Sequence, residues 1–304
     1  MSQLVIICGA TATGKSDLAV EIAKEIDAEI ISADSMQLYK GMDIGTAKLT
    51  LEERSGIPHH LLDVVSVKED VSVSWYQEQA RTKIDELRSL GKSVVVVGGT
   101  GLYIKAILDD LNFPETDPEV REKLNQEAEK IGGDALHQRL AKLDPAASLA
   151  IPKENVRRVI RALEVIEITG KPFTAILPRV DSTKYPDAMQ FGLAMDRESL
   201  DSRIDARVAK MWETGFVDEV EELINEGILE GKTAQAAIGY VQIIRMKHGS
   251  MTESEAIEDT ARATRQYARR QETWFSRDLR ITWLSATSKL SERKASVLQA
   301  ILKS

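Results

Sequence analysis

The sequence predicts an α/β fold: a three-layer core around a parallel sheet, plus an all-helical insertion. Three observations predict it. Apolar runs at 4–8 and 93–97 each end in a glycine-rich turn and then a helix-forming segment, the alternation that builds parallel sheets. Strand-like stretches at 28–33, 190–195 and 280–284 alternate with helical patterns. Between 113 and 187 no strong strand occurs, and Pro114, Pro118, Pro145 and Pro152 punctuate short amphipathic helices. The core is therefore expected in 1–113 and 188–304, with the insertion in 114–187.

The first run, Leu4-Val5-Ile6-Ile7-Cys8, leads into Gly9-Ala10-Thr11-Ala12-Thr13-Gly14-Lys15-Ser16. Leu18, Ala19, Ile22, Ala23 and Ile26 then recur at helical spacing. Glycines let the backbone bend so that successive N–H groups face an anion, and the helix adds its positive end. Lys15 supplies a mobile cation and the Ser16 hydroxyl a ligand for Mg2+. The competing reading, a turn that binds nothing, is weakened by the Lys, the Ser and both flanks. A P-loop NTPase-like core that holds a polyphosphate follows, without specifying which polyphosphate.

The second strand ends at Asp34-Ser35-Met36-Gln37-Leu38-Tyr39. Ligands of open α/β sheets sit at the carboxyl ends of strands, so Asp34 belongs to the rim of the phosphate loop. Residues 40–48 read as an ordered polar loop, Pro58-His59-His60 as irregular, and 74–90 as a helix burying Tyr76, Ala80, Ile84 and Leu87. The run Ser93-Val94-Val95-Val96-Val97 ends in Gly98-Gly99-Thr100-Gly101, where a hydrolytic ATPase carries an acid for magnesium. The glycines count against nucleotide hydrolysis and leave room for a flat ligand.

Insertion helices are expected at 118–131, 133–143 and 153–169, the last striped by Val156, Val159, Ile160, Leu163 and Ile166, with Pro172, Pro178 and Pro186 marking the exit. Arg157, Arg158 and Arg161 cluster there without interleaved acids, as a solvated face or a phosphate contact. Arg203, Arg207 and Lys210 form a cationic stripe on the helix after strand 190–195, either a second phosphate clamp or exposed charge. Ala236-Ala237-Ile238-Gly239-Tyr240 is a small-residue turn opening another helix. The helix at 253–277 carries Arg262, Arg265, Arg269 and Arg270 with no acid between them, followed by Trp274 and Phe275. Arginine beside aromatics suits an RNA backbone and splayed bases; the alternative is a charged helix face.

The chain has 304 residues, 43% hydrophobic and 29% charged, as in an ordinary globular protein. A net charge of -8 argues against a general nucleic-acid binder, so RNA contact must come from local basic patches. The single cysteine, Cys8, excludes an internal disulfide and a cysteine-based zinc site. With no membrane-spanning run and no signal-peptide pattern, a cytoplasmic location is expected.

Taken together, Gly9–Ser16, the fifteen-residue run Asp34–Lys48, Gly98–Tyr103, Arg161–Val165, Ile238-Gly239-Tyr240 and Thr264–Gln271 resemble the bacterial tRNA dimethylallyltransferases, also called tRNA isopentenyltransferases or IPP transferases. The likeness runs nearly end to end, with Ala10 standing where that family commonly has Pro. It implies transfer of a dimethylallyl group from dimethylallyl diphosphate to N6 of the adenosine 3′ of the anticodon, in tRNAs reading codons that begin with U. It implies catalytic roles for Asp34 as base and for Lys15 and Arg207 as charge stabilisers. Gly9, Thr11, Ala12, Thr13, Gly14, Lys15, Ser16, Arg203 and Arg207 would hold the diphosphate, with Mg2+ on Ser16 and Arg207 favoured over Arg203. The tRNA anticodon stem-loop would meet Asp34, Ser35, Met36, Gln37, Thr100, Arg121, Arg157, Arg158, Arg161, Gly239, Tyr240, Arg265 and Arg269. A monomer is expected. The alternatives are a P-loop kinase of small nucleotides, a non-catalytic RNA-binding module and a free-adenylate prenyltransferase.

Overall fold

Strand β1 (Leu4–Gly9) is buried along its whole length. Leu4, Ile6 and Cys8 enter one apolar cluster while Val5 and Ile7 enter another, so the strand is covered on both faces. This computed structural model describes residues 2–303 apart from 112, 115 and 176–182. The strand-rich unit comprises Met1–Leu108 and Tyr185–Ser304. In it β1 leads to α1 (Lys15–Glu25), β2 (Ala28–Ser32), β3 (His59–His60), α2 (Val73–Ser89), β4 (Ser93–Gly98) and α3 (Gly101–Leu108).

The other unit, Asp109–Lys184, holds α4 (Pro118–Ile131), α5 (Gly133–Leu143), α6 (Pro145–Ala150) and α7 (Val156–Thr169). The first unit then resumes with β5 (Met189–Ala194), α8 (Arg197–Glu213), α9 (Phe216–Glu226), α10 (Tyr240–Lys247), α11 (Glu253–Phe275), β6 (Ile281–Ser285) and α12 (Leu290–Ile301).

All six strands run parallel in the order β3-β2-β4-β1-β5-β6. Helices α1 and α12 cover one face through Leu18, Ile22 and Val297. Tyr76 and Ile84 of α2, Ile104 of α3, Tyr240 of α10 and Phe275 of α11 cover the other. The expected three-layer P-loop-like core is therefore present. Two local expectations need correction. His59–His60, read as irregular, is a short edge strand on β2, too brief for its periodicity to register. The helix expected from 153 starts at Val156, because Asn155 caps it by accepting from the Arg158 N–H. Helix α6 escaped notice as a single proline-initiated turn and a half, capped by Asp144. The Pro178 exit signal lies outside the described residues.

The helical unit has its own core of Leu124, Leu136, Leu140, Ala147, Ile151, Val159, Ile160 and Leu163. Its fully buried carboxylate Glu164 is paired with Arg121 at 2.7 Å and Arg161 at 2.9 Å and accepts the Asp117 N–H. Among the described residues no helix is long and apolar enough to cross a membrane. Truncating Leu163 to Ala is expected to destabilise the helical unit by about 2–5 kcal/mol. Urea unfolding followed by far-UV circular dichroism checks this, and an unchanged midpoint would show that Leu163 is not a core residue.

Candidate active site

Three neighbouring strands, β2, β4 and β1, deliver their carboxyl ends to one rim. From β1 the chain enters the phosphate loop. Gly14 has φ +82° and Ala12, a residue with a Cβ, has φ +62°. Holding Ala12 there costs about 1–2 kcal/mol, the sort of strain that persists where a loop must turn its amides on a ligand. Thr13 Oγ1 and Lys15 Nζ both donate to the Ala10 carbonyl, at 2.8 and 2.6 Å, drawing the loop tight. Burial, aided by repulsion from Arg207, lowers the Lys15 pKa to about 8, while Asp34 and Cys8 oppose the shift. Cys8 behind the loop is buried and pushed up to about 12, a packing residue and not a nucleophile.

Gln271 of α11 ties two rims together. Its Oε1 accepts the Thr11 N–H at 2.9 Å and its Nε2 donates to the Gly99 carbonyl at 2.9 Å. Gly98, the last residue of β4, admits no side chain, because a Cβ would strike the Ala33 carbonyl. The turn after it places Thr100, whose Oγ1 accepts the Ser35 N–H at 3.2 Å.

Asp34 follows β2. Its Oδ1 accepts the Met36 N–H at 2.9 Å and the Gln37 N–H at 3.4 Å, fixing the carboxylate. Oδ2 has no hydrogen bond among the described residues and so retains its accepting capacity. Beyond β5, Asp196 caps α8 by accepting the Ser199 N–H, and that helix carries Arg207 to within 3.4 Å of Thr11 Oγ1.

These groups meet at a cavity of about 220 Å³. Thr11, Asp34 and Arg207 form its polar wall, and Ile204, Met211 and Ile238 are among its apolar lining. Burial and the nearby Asp34 charge push the Tyr267 hydroxyl up to about 12, so it stays protonated and a donor. A second anchor lies behind the cavity. Glu219 accepts the N–H groups of Asp43, Ile44 and Gly45 at 3.1, 2.6 and 3.3 Å and the Tyr240 hydroxyl at 2.6 Å. The 40–48 loop is ordered, as its composition suggests, because α9 holds it.

Asp34, Ser35, Met36, Thr11, Arg207 and Tyr240 thus share one cavity, with Thr100 bonded to its wall. Gln37 is engaged at both ends of its amide, with Ser32 Oγ and the Thr46 carbonyl. Gly239, at φ +90°, caps α10. Arg203 is exposed beside the loop and absent from the cavity wall.

The arginine clusters need revision. Arg157 and Arg158 are exposed. Arg161 and Arg121, however, close on Glu164. On α11, Arg265 pairs with Asp205 and Arg269 with Asp201 at 3.2 Å, and Arg262 pairs with Asp259. Two of these acids come from α8, so the absence of acids between residues 262 and 270 misstates the local charge. Sequence reasoning did not assign Tyr267 or Gln271, though Thr264, Tyr267 and Gln271 lie at i, i+3, i+7 on one helical face. Glu219 left no comparable signal.

The family described as IPP transferase matches residues 37–278. The chain belongs to the IPP transferase family. A tRNA dimethylallyltransferase of Thermobifida fusca is 56% identical over 289 residues, 93% of this chain and 90% of its own length. One from Streptomyces avermitilis is 53% identical over 286 residues, covering 94% and 91%. Among solved structures, the full-length tRNA isopentenylpyrophosphate transferase of Bacillus halodurans aligns with TM-score 0.73 and 38% identity, covering 100% of this chain and 96% of that one. A eukaryotic dimethylallyltransferase acting on tRNA aligns with TM-score 0.80 and 27% identity, covering 99% and 78%. Family membership extends to the phosphate loop through the full-length relatives, since the matched family segment begins after it.

Two outcomes follow from this geometry. Gln271→Ala leaves the Thr11 N–H and the Gly99 carbonyl unpaired and should cost about 1–3 kcal/mol of stability; thermal unfolding at the wild-type midpoint would refute the bridge. Lys15 is a cation below pH about 8 and neutral above it. Inorganic diphosphate should therefore bind wild type better than Lys15→Met at neutral pH, with the advantage shrinking as pH rises through about 8. Calorimetric titrations across pH check this, and a pH-independent advantage would refute it.

Proposed function

We propose that this chain transfers the dimethylallyl group of dimethylallyl diphosphate to N6 of the adenosine 3′ of the anticodon, in tRNAs reading codons that begin with U. The supporting observation is the shared cavity wall, in which a carboxylate with a free oxygen stands beside a phosphate loop and its arginine.

The chemistry each group can perform follows from its place. The exocyclic amine of adenine is a weak nucleophile, because its lone pair is delocalised into the ring. As N6 attacks C1 of the donor, the allylic C–O bond breaks and its electron pair leaves with the diphosphate. The N6 proton passes to Asp34 Oδ2. A positioned base of this kind is worth about 10²- to 10⁴-fold. Charge grows on the leaving oxygens, where Lys15, Arg207 and the loop amides stabilise it. Thr100 and the Asp34–Gln37 turn border the space for an extruded purine, which must leave its stack to reach the cavity.

Mg2+ fits the residues present. The Ser16 hydroxyl has no hydrogen-bond partner among the described residues, and no group of three or more acidic, His or Cys side chains suited to a metal occurs among them. A phosphate-loop hydroxyl, diphosphate oxygens and water together can complete a magnesium shell. When bound, it would neutralise charge on the diphosphate. Arg157, Arg158 and Trp274 are exposed and suited to the tRNA backbone and bases, and the helical unit would share that contact. A cytoplasmic monomer accords with this reading.

Labelled dimethylallyl diphosphate and an unmodified tRNA bearing adenosine 3′ of its anticodon should give labelled tRNA; absence of label would refute the proposal. Asp34→Asn should retain donor affinity and lose about 10²- to 10⁴-fold in turnover. ATP consumption without RNA would favour the kinase reading instead.

A further inference from the structure

Helix α12 lines none of the cavity. It is held firmly against α1: Lys294 bonds Glu21 at 3.2 Å and Glu25 at 2.8 Å, and Val297 is fully buried in the same cluster as Leu18 and Ile22. One turn earlier, Arg293 reaches the phosphate loop. A Cβ placed on Gly14 would lie 3.4 Å from Arg293 Nη1 and 3.9 Å from Asp17 Oδ2. Both Nε and Nη1 of Arg293 are sealed from solvent and hydrogen-bond to nothing among the described residues. The side chain as a whole is only half-buried, but two sealed donors without acceptors are costly and call for a partner.

The surroundings point to an anion. Burial lowers the Arg293 pKa, Asp17 counters it and the nearby Arg203 adds repulsion. Arg203 and Arg293 are each without an ion pair among the described residues, unlike Arg265 and Arg269 of α11. Two cations converge beside the amino end of α1, itself electropositive. Asp17 offsets part of this repulsion without pairing with either arginine, so capacity for a further anion remains.

We propose that Arg293 is a diphosphate-binding residue, reaching from α12 over Gly14 to the phosphoryl oxygens on the α1 side of the loop, with Arg203 beside it. This deepens the reading of the loop as a diphosphate cradle and rests on it. Arg207 and Lys15 would serve the cavity side, Arg293 and Arg203 the opposite side. The four cations would then distinguish a diphosphate, with charge to reach both sides, from a single phosphate.

The test compares wild type with Arg293→Ala and Arg293→Lys. Calorimetry with inorganic diphosphate should show about 10-fold weaker binding for Arg293→Ala, with partial recovery in Arg293→Lys. Affinity for inorganic phosphate should change far less. The KM for dimethylallyl diphosphate should rise in parallel while the KM for tRNA holds. The unliganded melting temperature should stay the same or rise, because two sealed donors without acceptors have been removed. The increase in melting temperature that diphosphate confers should shrink. Diphosphate affinity within twofold of wild type in Arg293→Ala would overturn the proposal. So would a lowered unliganded melting temperature with affinity lost equally in both variants, which would mark a structural role. If wild type binds diphosphate through Arg293 yet labels no tRNA, the prenyl-transfer reading falls and the Arg293 assignment stands.

Discussion

One side-chain amide holds the rim together. Gln271 takes the Thr11 N–H with its oxygen and gives its nitrogen to the Gly99 carbonyl, both at 2.9 Å. Phosphate loop, β4 turn and α11 are thereby fixed to one another in a buried setting, where an amide bonded at both ends leaves neither backbone group unpaired. The positions of Lys15, Thr100 and Tyr267 all depend on elements that this contact joins. The strand order supplies the remaining constraint: β2, β4 and β1 are adjacent and parallel, so Asp34, Thr100 and the loop cannot help but emerge on the same side.

Charge is distributed on that rim with a purpose visible in its partners. Arg207 and Arg203 lack carboxylate partners among the described residues, whereas Arg262, Arg265 and Arg269 of α11 each pair with one. Arg207 is desolvated and held near Asp34, which favours its charged form. In the proposed reaction the carboxylate and the cradle are complementary: one would accept a proton while the other would stabilise the negative charge of the departing diphosphate. Neither group would serve without the other in the same small volume.

Much of this was legible in the sequence, and the reasons differ by element. The parallel core shows itself because β1 and β4 are continuous apolar runs, which only strands covered on both faces need. The phosphate loop shows itself through Gly14, Lys15 and Ser16 between strand and helix. Asp34 follows from the rule that ligands sit at carboxyl ends of strands. The residues missed are those whose role depends on tertiary proximity: Glu219 from α9, and Gln271 from the far end of α11. The charge around the arginine stripes was hidden for the same reason. A helix read alone shows no acid between Arg262 and Arg270, yet α8 lies alongside and supplies Asp201 and Asp205. β3 and α6 were too short for any period to emerge.

The aspartates facing α11 carry a consequence for selectivity. A polyanion approaching Arg265 and Arg269 meets guanidiniums already paired with Asp205 and Asp201 and shares them with those acids. The net driving force of association is correspondingly modest. A random nucleic acid offering only backbone charge would find this surface nearly indifferent. If α11 meets RNA as proposed, these acids would make the contact depend less on backbone charge and more on the shape of what is bound.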